Sequence, residues 1–214
     1  TFGYIDAMAE MAEEYPDVIF LHCSGYLSND SNFGNYFGKM YQPRYLAGLQ
    51  AGEMTTSNKI GYVAAFPIPE VIRGINAFAS GVKEVNPDAT VEVVWTFTWF
   101  GPEEETQAAN ALIETGVDVL AQHQDSPSTG VVAEANGAKW ISYNTNYGQS
   151  AAPEAYAGAP VWDWGPYYVS VVNSIIDGEF SGGAYWGGME TGLVSYDTIF
   201  DQGPLADLIS GVQA

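Results

Sequence analysis

Short apolar segments alternate with amphipathic ones along the chain. Residues 59–66 (KIGYVAAF) are almost entirely apolar, which predicts a strand buried on both faces. Pro67 and Pro69 then prevent the strand from continuing, and the apolar residues from Val71 to Val85 recur at helical spacing. The segment therefore predicts a buried strand that turns stiffly into a long amphipathic helix. In open α/β sheets, such junctions are where ligands bind.

The rest of the chain repeats this alternation. Strands are predicted over residues 18–23, 59–66, 90–99, 117–122 and 139–144, with a late strand or hairpin over residues 186–196. Helices are predicted over residues 5–15, 41–54, 69–85, 101–116, 127–138, 166–177 and 204–212. Gly48 and Gly52, one helical turn apart, predict a close approach of another backbone. Strict alternation predicts a parallel sheet covered on both faces.

Two stretches lack such periodicity. Residues 25–38 are polar and rich in Asn, Gly and Tyr, and are predicted to form a loop. Residues 147–160 are rich in Gly, Ala and Pro, and are predicted to be a connection at which the chain changes lobe.

Charge and composition restrict the class of ligand. The chain of 214 residues carries 26 acidic side chains against 6 Lys plus Arg, a formal net charge of −20. Such a field repels nucleic acids, anionic membrane surfaces and strongly anionic ligands, and is compatible with a saline habitat. Length and apolar content fit one large domain or two small α/β lobes.

The chain has a single cysteine, Cys23, which excludes an intramolecular disulfide and a thiolate zinc site. No apolar stretch is long enough to cross a bilayer, and Thr1 begins no signal peptide. The abrupt start at a strand-to-helix junction predicts that the N-terminus of the natural protein is missing. No cofactor is predicted.

Aromatic and hydrogen-bonding residues recur just after the predicted strands. They are Phe2-Gly3-Tyr4, Phe66-Pro67, Trp99-Phe100, His123-Gln124-Asp125-Ser126 and Asn144-Thr145-Asn146. Parallel strands place these residues at one rim, where rings stack on a flat ligand and Asp or Asn accepts its N–H groups. A phosphate would require glycine-rich cradles and basic residues. The pattern favours a neutral nucleobase or nucleoside, although each residue alone also fits simple packing.

His123 and Asp125 raise two other hypotheses, a metal site and a hydrolase built with Ser126. Neither is favoured, because no second histidine has ligand spacing and no G-x-S-x-G motif occurs. We therefore interpret His123 as a satisfied histidine at a strand end. The acids at positions 103–105 are interpreted as helix capping. No catalytic or metal-binding residue is predicted.

Several long phrases resemble one known family. YPDVIFLHCSGY, NYFGKMYQPRYLAGLQAGEMT, NKIGYVAAFPIPEVIRGINAFASG, QHQDSP, VWDWGPYY and DGEF…YWGG are similar to the basic-membrane-protein family. Its members are substrate-binding components of ABC-type importers, including binders of purine bases and purine nucleosides. The resemblance runs from Thr1 almost to the end.

The resemblance implies an α/β type I periplasmic-binding-protein fold, with two Rossmann-like lobes, parallel sheets and a hinge, and with the first strand–helix units missing. The first lobe is expected over residues 1–66 and about 150–180, and the second over residues 67–149 and about 181–214. Members are secreted, periplasmic or lipid-anchored to the outer face of the cell membrane through an N-terminal cysteine, which is not Cys23.

The resemblance also implies positions for the ligand. Trp99 matches a position that stacks on the base, and Asn146 stands where many members have an aspartate that grips the ribose. That difference favours a free base such as adenine. Asp125 is then the candidate base-edge acceptor, and Trp164, which follows Asp163 where members have a lysine, is a second stacking wall. The full set of expected ligand-binding residues is Phe2, Gly3, Phe66, Trp99, Asp125, Asn144, Asn146 and Trp164.

The function expected is that of an extracytoplasmic solute-binding protein that binds a purine in the cleft between its lobes and delivers it to ABC permease subunits. It is expected to be a monomer and not an enzyme. Two different functions remain open: a sensor of the same fold that acts on a receptor, and a nucleoside hydrolase that uses Asp125 and His123. The exact ligand is left open.

Overall fold

The protein is described by a computed structural model over residues 2–200 and 204–213. Its helices are α1 (Ile5–Glu14), α2 (Tyr41–Met54), α3 (Pro69–Val85), α4 (Pro102–Glu114), α5 (Ser128–Ala135), α6 (Gly165–Ile176) and α7 (Pro204–Gln213). Its strands are β1 (Phe20–Cys23), β2 (Phe33–Gly38), β3 (Lys59–Ala64), β4 (Thr90–Trp95), β5 (Val119–His123), β6 (Lys139–Ile141), β7 (Tyr156–Trp162), β8 (Gly183–Gly187) and β9 (Val194–Thr198).

The chain forms two compact units. The first comprises Thr1–Lys39 and Asp163–Val194, and the second comprises Met40–Trp162 and Ser195–Ala214. These boundaries differ from the lobes expected over residues 1–66 and 150–180, and 67–149 and 181–214. Strand β3 explains the first difference, because it pairs with both β4 and β5 and therefore belongs to the second unit.

The second unit is built on a six-stranded sheet in the order β4-β3-β5-β6-β7-β9. The pairs β3–β4, β3–β5, β5–β6 and β6–β7 are parallel, as predicted. Neighbouring residues of β3 face opposite sides: Tyr62 contacts Phe78 of α3, whereas Gly61 faces Leu112 of α4. Helices therefore cover both faces, and the carboxyl ends of the five strands from β3 to β7 share one edge.

Helices α2 and α3 pack closely through glycines. A Cβ atom on Gly48 would collide with the carbonyl oxygen of Phe78, and one on Gly52 would lie 3.0 Å from that of Val82. The close approach predicted from these two glycines is confirmed. The two helices run side by side, so that Arg44 in the first turn of α2 lies against Gly74 of α3.

The first unit holds a three-stranded parallel sheet in the order β1-β2-β8. Strand β2 lies within residues 25–38, for which the sequence predicts a loop. That prediction is wrong because buried Phe33 and Tyr36 outweigh the low strand propensity of Gly and Asn. Strand β7 likewise occupies the end of the predicted connection at residues 147–160. Among the helices of the described residues, none has the length and apolar character to span a bilayer.

Candidate functional site

Four side chains form a continuous row at the carboxyl edge of the second unit's sheet. We call Phe66, Trp99, His123 and Tyr143 the aromatic row; they follow or end strands β3, β4, β5 and β6. Ring centroids are 5.6 Å apart for Phe66 and Trp99, 6.0 Å for Trp99 and His123, and 4.6 Å for His123 and Tyr143. The parallel topology thus brings together residues that are far apart in sequence.

The rings of the row are tilted and do not stack face to face. Successive interplanar angles are 54°, 51° and 40°. Phe66, Trp99 and Tyr143 are each only partly buried. Tilted, partly exposed rings leave π-faces available for a flat ligand, which prefers an offset or edge contact.

His123 is the buried member of the row, with 1% of its surface exposed. Neither ring nitrogen has a hydrogen-bond partner among the described residues, and Nε2 lies 3.7 Å from Oε1 of Glu70. Burial, and then the positive charge of Arg44, holds the pKa of His123 well below its usual range. At neutral pH the imidazole is therefore uncharged, and the row carries no charge. The ring nitrogens of His123 remain able to form hydrogen bonds.

Two charged side chains support the row from the helices. Arg44 of α2 is buried and lies over the Tyr143 ring, and Glu70 of α3 approaches His123. Burial raises the pKa of Glu70, whereas Arg44 and then Arg73 lower it.

Asp125 borders the row at the loop that follows β5. Its backbone N–H donates to the carbonyl oxygen of Trp99 at 3.0 Å, which ties this loop to the row. The residue is exposed, and partial desolvation of its carboxyl group by neighbouring atoms raises the pKa. Its position suits an acceptor for N–H or O–H groups of a ligand.

A cavity of about 270 Å³ lies beside the row, between the loops that follow β5 and β6. Most of its lining is polar or aromatic and uncharged, including Gln124, Ser126, Tyr143, Thr145 and Tyr147, with Asp125 as the acid. None of the lining residues is basic. The cavity is therefore suited to a small uncharged group with hydroxyl or amide functions.

The structure brings some of the expected site residues together and places the others in different surroundings. Phe66 and Trp99 are neighbours, and Asn144 accepts a hydrogen bond from Arg44 Nη2 at 3.3 Å. Asn146 is exposed, and its carbonyl oxygen accepts from the N–H of Gln149. Trp164 lies in the first unit, 5.4 Å from the ring of Tyr36.

The two expected site residues at the start of the chain also belong to the first unit. Gly3 lies in a single 3-10 turn, Phe2–Tyr4, and a Cβ atom there would meet no atom within 4 Å. The side chain of Phe2 lies outside the described part of the protein. Whether any of the eight expected residues contacts a ligand stays a prediction.

Sequence reasoning missed three residues of this site and misinterpreted a fourth. His123 was placed at the rim, but its interpretation as a satisfied histidine is wrong, because neither ring nitrogen has a hydrogen-bond partner among the described residues. Tyr143, adjacent to the expected Asn144, could have been found by the strand-end rule that selected Trp99. Glu70 and Arg44 reach the row from helices. The scarcity of basic residues, 6 in the chain, is the signal that could have drawn attention to Arg44.

One of the three acids at positions 103–105 contacts the start of its own helix. Glu105 accepts a hydrogen bond from the backbone N–H of Gly101 at 3.2 Å, so helix capping is confirmed for this acid. Within residues 2–200 and 204–213, no group of three or more His, Cys, Asp or Glu could hold a metal ion.

Several solved structures with a similar fold are solute-binding proteins. An ABC transporter solute-binding protein of Conexibacter woesei matches with a TM-score of 0.77 and 23% identity, over 97% of this chain and 71% of its own. One of Aeropyrum pernix matches with a TM-score of 0.79 and 15% identity, over 100% of this chain and 67% of its own. At such low identity the likeness establishes the fold alone. The expected α/β fold of periplasmic solute-binding proteins is confirmed.

The chain belongs to the Bmp family, described as ABC transporter substrate-binding protein PnrA-like, whose sequence model matches residues 1–206. The resemblance noted in its long phrases is thereby confirmed. A Haloferax volcanii protein, provisionally named the ABC transporter glucose-binding protein TsgA13, is 50% identical over 198 residues, which are 92% of this chain and 50% of that protein. A purine-binding protein of Brucella abortus is 39% identical over 199 residues, 91% of this chain and 55% of that protein. The chain thus spans about half the length of each.

Proposed function

We propose that the protein is the extracytoplasmic solute-binding component of an ABC importer, and that it binds a purine base or nucleoside on the aromatic row. The main support for this proposal is the row itself, which places three partly exposed aromatic rings and an uncharged imidazole at the shared edge of four parallel strands. Substrate binding is the property of its family; the purine is our inference.

Charge supports an uncharged ligand. The net charge of −20 opposes a nucleotide, and the cavity beside the row offers no basic group for a phosphate. A purine ring stacks on Trp99 and Phe66, while Asp125 and Asn144 accept its N–H donors. The name of the Brucella relative, a purine-binding protein, agrees with this chemistry.

Further contacts are proposed from residues that the row does not include. Asn146 is proposed as a polar contact, Trp164 as a stacking contact, and Phe2 and Gly3 as further ligand-binding residues, all four on the strength of the family resemblance. The protein performs no reaction, acts as a monomer and passes its ligand to permease subunits at the outer face of the membrane.

A sugar is the second candidate ligand. The cavity beside the row is lined by aromatic rings together with hydroxyl, amide and carboxylate groups, a combination that suits a hydroxylated ring. The Haloferax relative carries glucose in its name. Aromatic walls at Tyr143 and Tyr147 would cover the apolar face of such a ring.

Titration calorimetry with adenine, adenosine and glucose tests the proposal. Binding of adenine or adenosine, with no heat from glucose, supports the purine; the reverse establishes the sugar. Release of the copurified small molecule and its identification by mass spectrometry gives an independent answer. Conversion of adenosine to free adenine by the protein would instead establish a hydrolase.

The role in transport needs a separate measurement. Ligand uptake into vesicles that contain the permease should require the protein. Ligand binding without any effect on uptake would favour a sensor that acts on a receptor.

A further inference from the structure

Arg44 occupies an unusual position for an arginine. It lies in the first turn of α2 with 3% of its surface exposed. Its Nη1 group donates to the hydroxyl of Tyr62 at 3.1 Å, and Nη2 donates to Oδ1 of Asn144 at 3.3 Å. Its Cζ atom lies 5.1 Å from the centroid of the Tyr143 ring. One side chain thus joins α2 to strand β3 and to the turn that follows β6.

The neighbouring helix α3 leaves space for this buried cation. A Cβ atom on Gly74 of α3 would lie 2.8 Å from Cδ of Arg44, so α3 leaves space here that a larger residue would fill. Burying a guanidinium group is costly unless its hydrogen bonds are satisfied. The same guanidinium contacts Tyr143, the last residue of the row, and Asn144, which follows it, and this points to a role beyond packing.

The turn that Arg44 holds has a left-handed residue. Asn144 has a φ of 57°, in the left-handed region that asparagine adopts more readily than other non-glycine residues. Its side-chain oxygen is the acceptor for Arg44 Nη2, so the hydrogen bond holds the turn in this conformation. Tyr143, the preceding residue, is held against His123 on one side and Arg44 on the other.

We infer that Arg44 is a positioning residue for ligand binding: it fixes Tyr143 and Asn144 at the end of the aromatic row. Because its guanidinium is buried, it acts through these residues and not by touching the ligand. The inference rests on the proposed function, in which the row binds a purine. Its partners require a planar fork of donors, which arginine has and lysine lacks.

The test compares Arg44→Lys and Arg44→Met with the parent, and uses Arg73→Met as a matched control. Arg73 is exposed on α3 and also lowers the pKa of Glu70, so its replacement removes the same charge near the site. Affinity for adenine and adenosine is measured by calorimetry, and thermal midpoints are recorded for every variant. We expect Arg44→Lys to weaken binding by about tenfold or more, and Arg73→Met to change it by less than about threefold.

A second readout separates positioning from general damage to the fold. Nuclear magnetic resonance follows the protonation of His123 without ligand; His22 is the other histidine in the chain. Arg44→Met should raise the pKa of His123, because the repulsion between the two cations is lost. Arg44→Lys keeps the charge and should leave this pKa low while binding is still weakened.

Several results would overturn the inference. Parent-like affinity in Arg44→Lys would do so, as would equal losses in Arg44→Lys and Arg73→Met. Should Arg44→Met fail to fold, Arg44→Lys alone decides. If the parent binds neither purine, the proposed function is contradicted. The role of Arg44 is then assessed by the titration of His123. An unchanged pKa of His123 in Arg44→Met would show that Arg44 does not act on the row.

Discussion

The two units each contain a group of aromatic side chains, and the two groups are built differently. In the first unit, Tyr36, Trp164, Tyr167, Tyr168 and Tyr185 form what we call the tyrosine cluster. Tyr167 stacks on Tyr36 at 4.8 Å and 28°, and on Tyr185 at 4.5 Å and 29°. The hydroxyl groups of Tyr36 and Tyr168 are 3.1 Å apart and hydrogen-bonded.

The aromatic row of the second unit has none of these near-parallel stacks between its successive members. Its interplanar angles are 40° or more, and its one buried polar ring, His123, makes no hydrogen bond among the described residues. Burial raises the pKa of Tyr167 to about 12, so its hydroxyl stays protonated, and its ring stacks on two other tyrosines. The row leaves faces and polar atoms unused.

This difference separates packing from binding capacity. Rings that stack on each other stabilise the folded state through that contact. Partly exposed rings beside atoms without hydrogen-bond partners can still form such contacts with a ligand. Substitutions in the tyrosine cluster should therefore reduce stability first, and those in the row should reduce affinity first. Trp164 is the exception, because it belongs to the cluster and is also proposed as a ligand contact.

The largest expected effect is on stability in the tyrosine cluster. Tyr167→Ala removes a buried ring that stacks on two neighbours, and should lower the free energy of unfolding by about 3 kcal/mol or more. Urea unfolding measures the loss. The control is Val169→Ala on the exposed side of the same helix, which should cost less than about 1 kcal/mol. Similar losses in both variants would contradict a tightly packed cluster.

Trp99→Ala should have the opposite profile. We expect it to weaken purine binding by about 1–3 kcal/mol, because a stacking surface is lost, with a smaller loss of stability than Tyr167→Ala. Calorimetry and urea unfolding of the same preparations measure both quantities. Trp186→Ala, at a partly exposed tryptophan of the first unit, serves as the control for loss of an indole. Unchanged affinity in Trp99→Ala would remove this residue from the site.

The sequence was most informative where one periodicity dominates. Helix α3 begins and ends where its apolar stripe predicts, at Pro69 and Val85. Strand β2 was missed because FGNYFG mixes aromatic residues with glycine, and its burial depends on pairing with β1 and β8. Burial supplied by tertiary neighbours is invisible to a local pattern.

The candidate site divides in the same way. Phe66 and Trp99 could be predicted because each follows a strand, and parallel strands share an edge. Arg44 and Glu70 could not, because they lie on helices and reach the row only through the packing of α2 and α3 on the sheet. The lack of a hydrogen bond to His123 within the described part of the chain depends on the positions of atoms from several elements, which no spacing in the sequence encodes.

A pH experiment should isolate His123. Its pKa in the folded protein lies below the usual value near 6.5, so the unfolded chain takes up the proton more readily. Its contribution to stability is therefore complete above about pH 6.5 and is lost below it, at up to about 1.4 kcal/mol per pH unit. Glu70 and Asp125 have raised pKa values and act in the opposite direction. Hence only the difference between parent and variant is informative.

His123→Gln should remove this part of the pH dependence. Between about pH 6.5 and 5, the free energy of unfolding of the variant should fall less steeply than that of the parent, as measured by urea unfolding at each pH. His22→Gln retains His123 and is the matched control. Parallel curves for parent and His123→Gln would show that His123 is protonated to the same extent in the folded and unfolded states.

The smallest expected effect concerns strain beside the row. Phe97 has a φ of 57° and is 63% exposed, so a bulky residue is held in the left-handed region without being buried. Asparagine adopts this conformation more readily. Phe97→Asn should therefore raise the free energy of unfolding by about 0.5–1 kcal/mol, as measured by urea unfolding.

The control is Lys59→Ala, elsewhere on the surface of the same sheet. It should give no such gain, because the Nζ group of Lys59 donates to the carbonyl oxygen of Thr115 at 2.7 Å. Phe97→Asn could also be more stable than the parent and yet bind purine less tightly. The left-handed backbone at Phe97 would then contribute to binding at the cost of stability, as we expect of the side chains of the aromatic row. A loss of stability would show instead that the Phe97 ring contributes to packing.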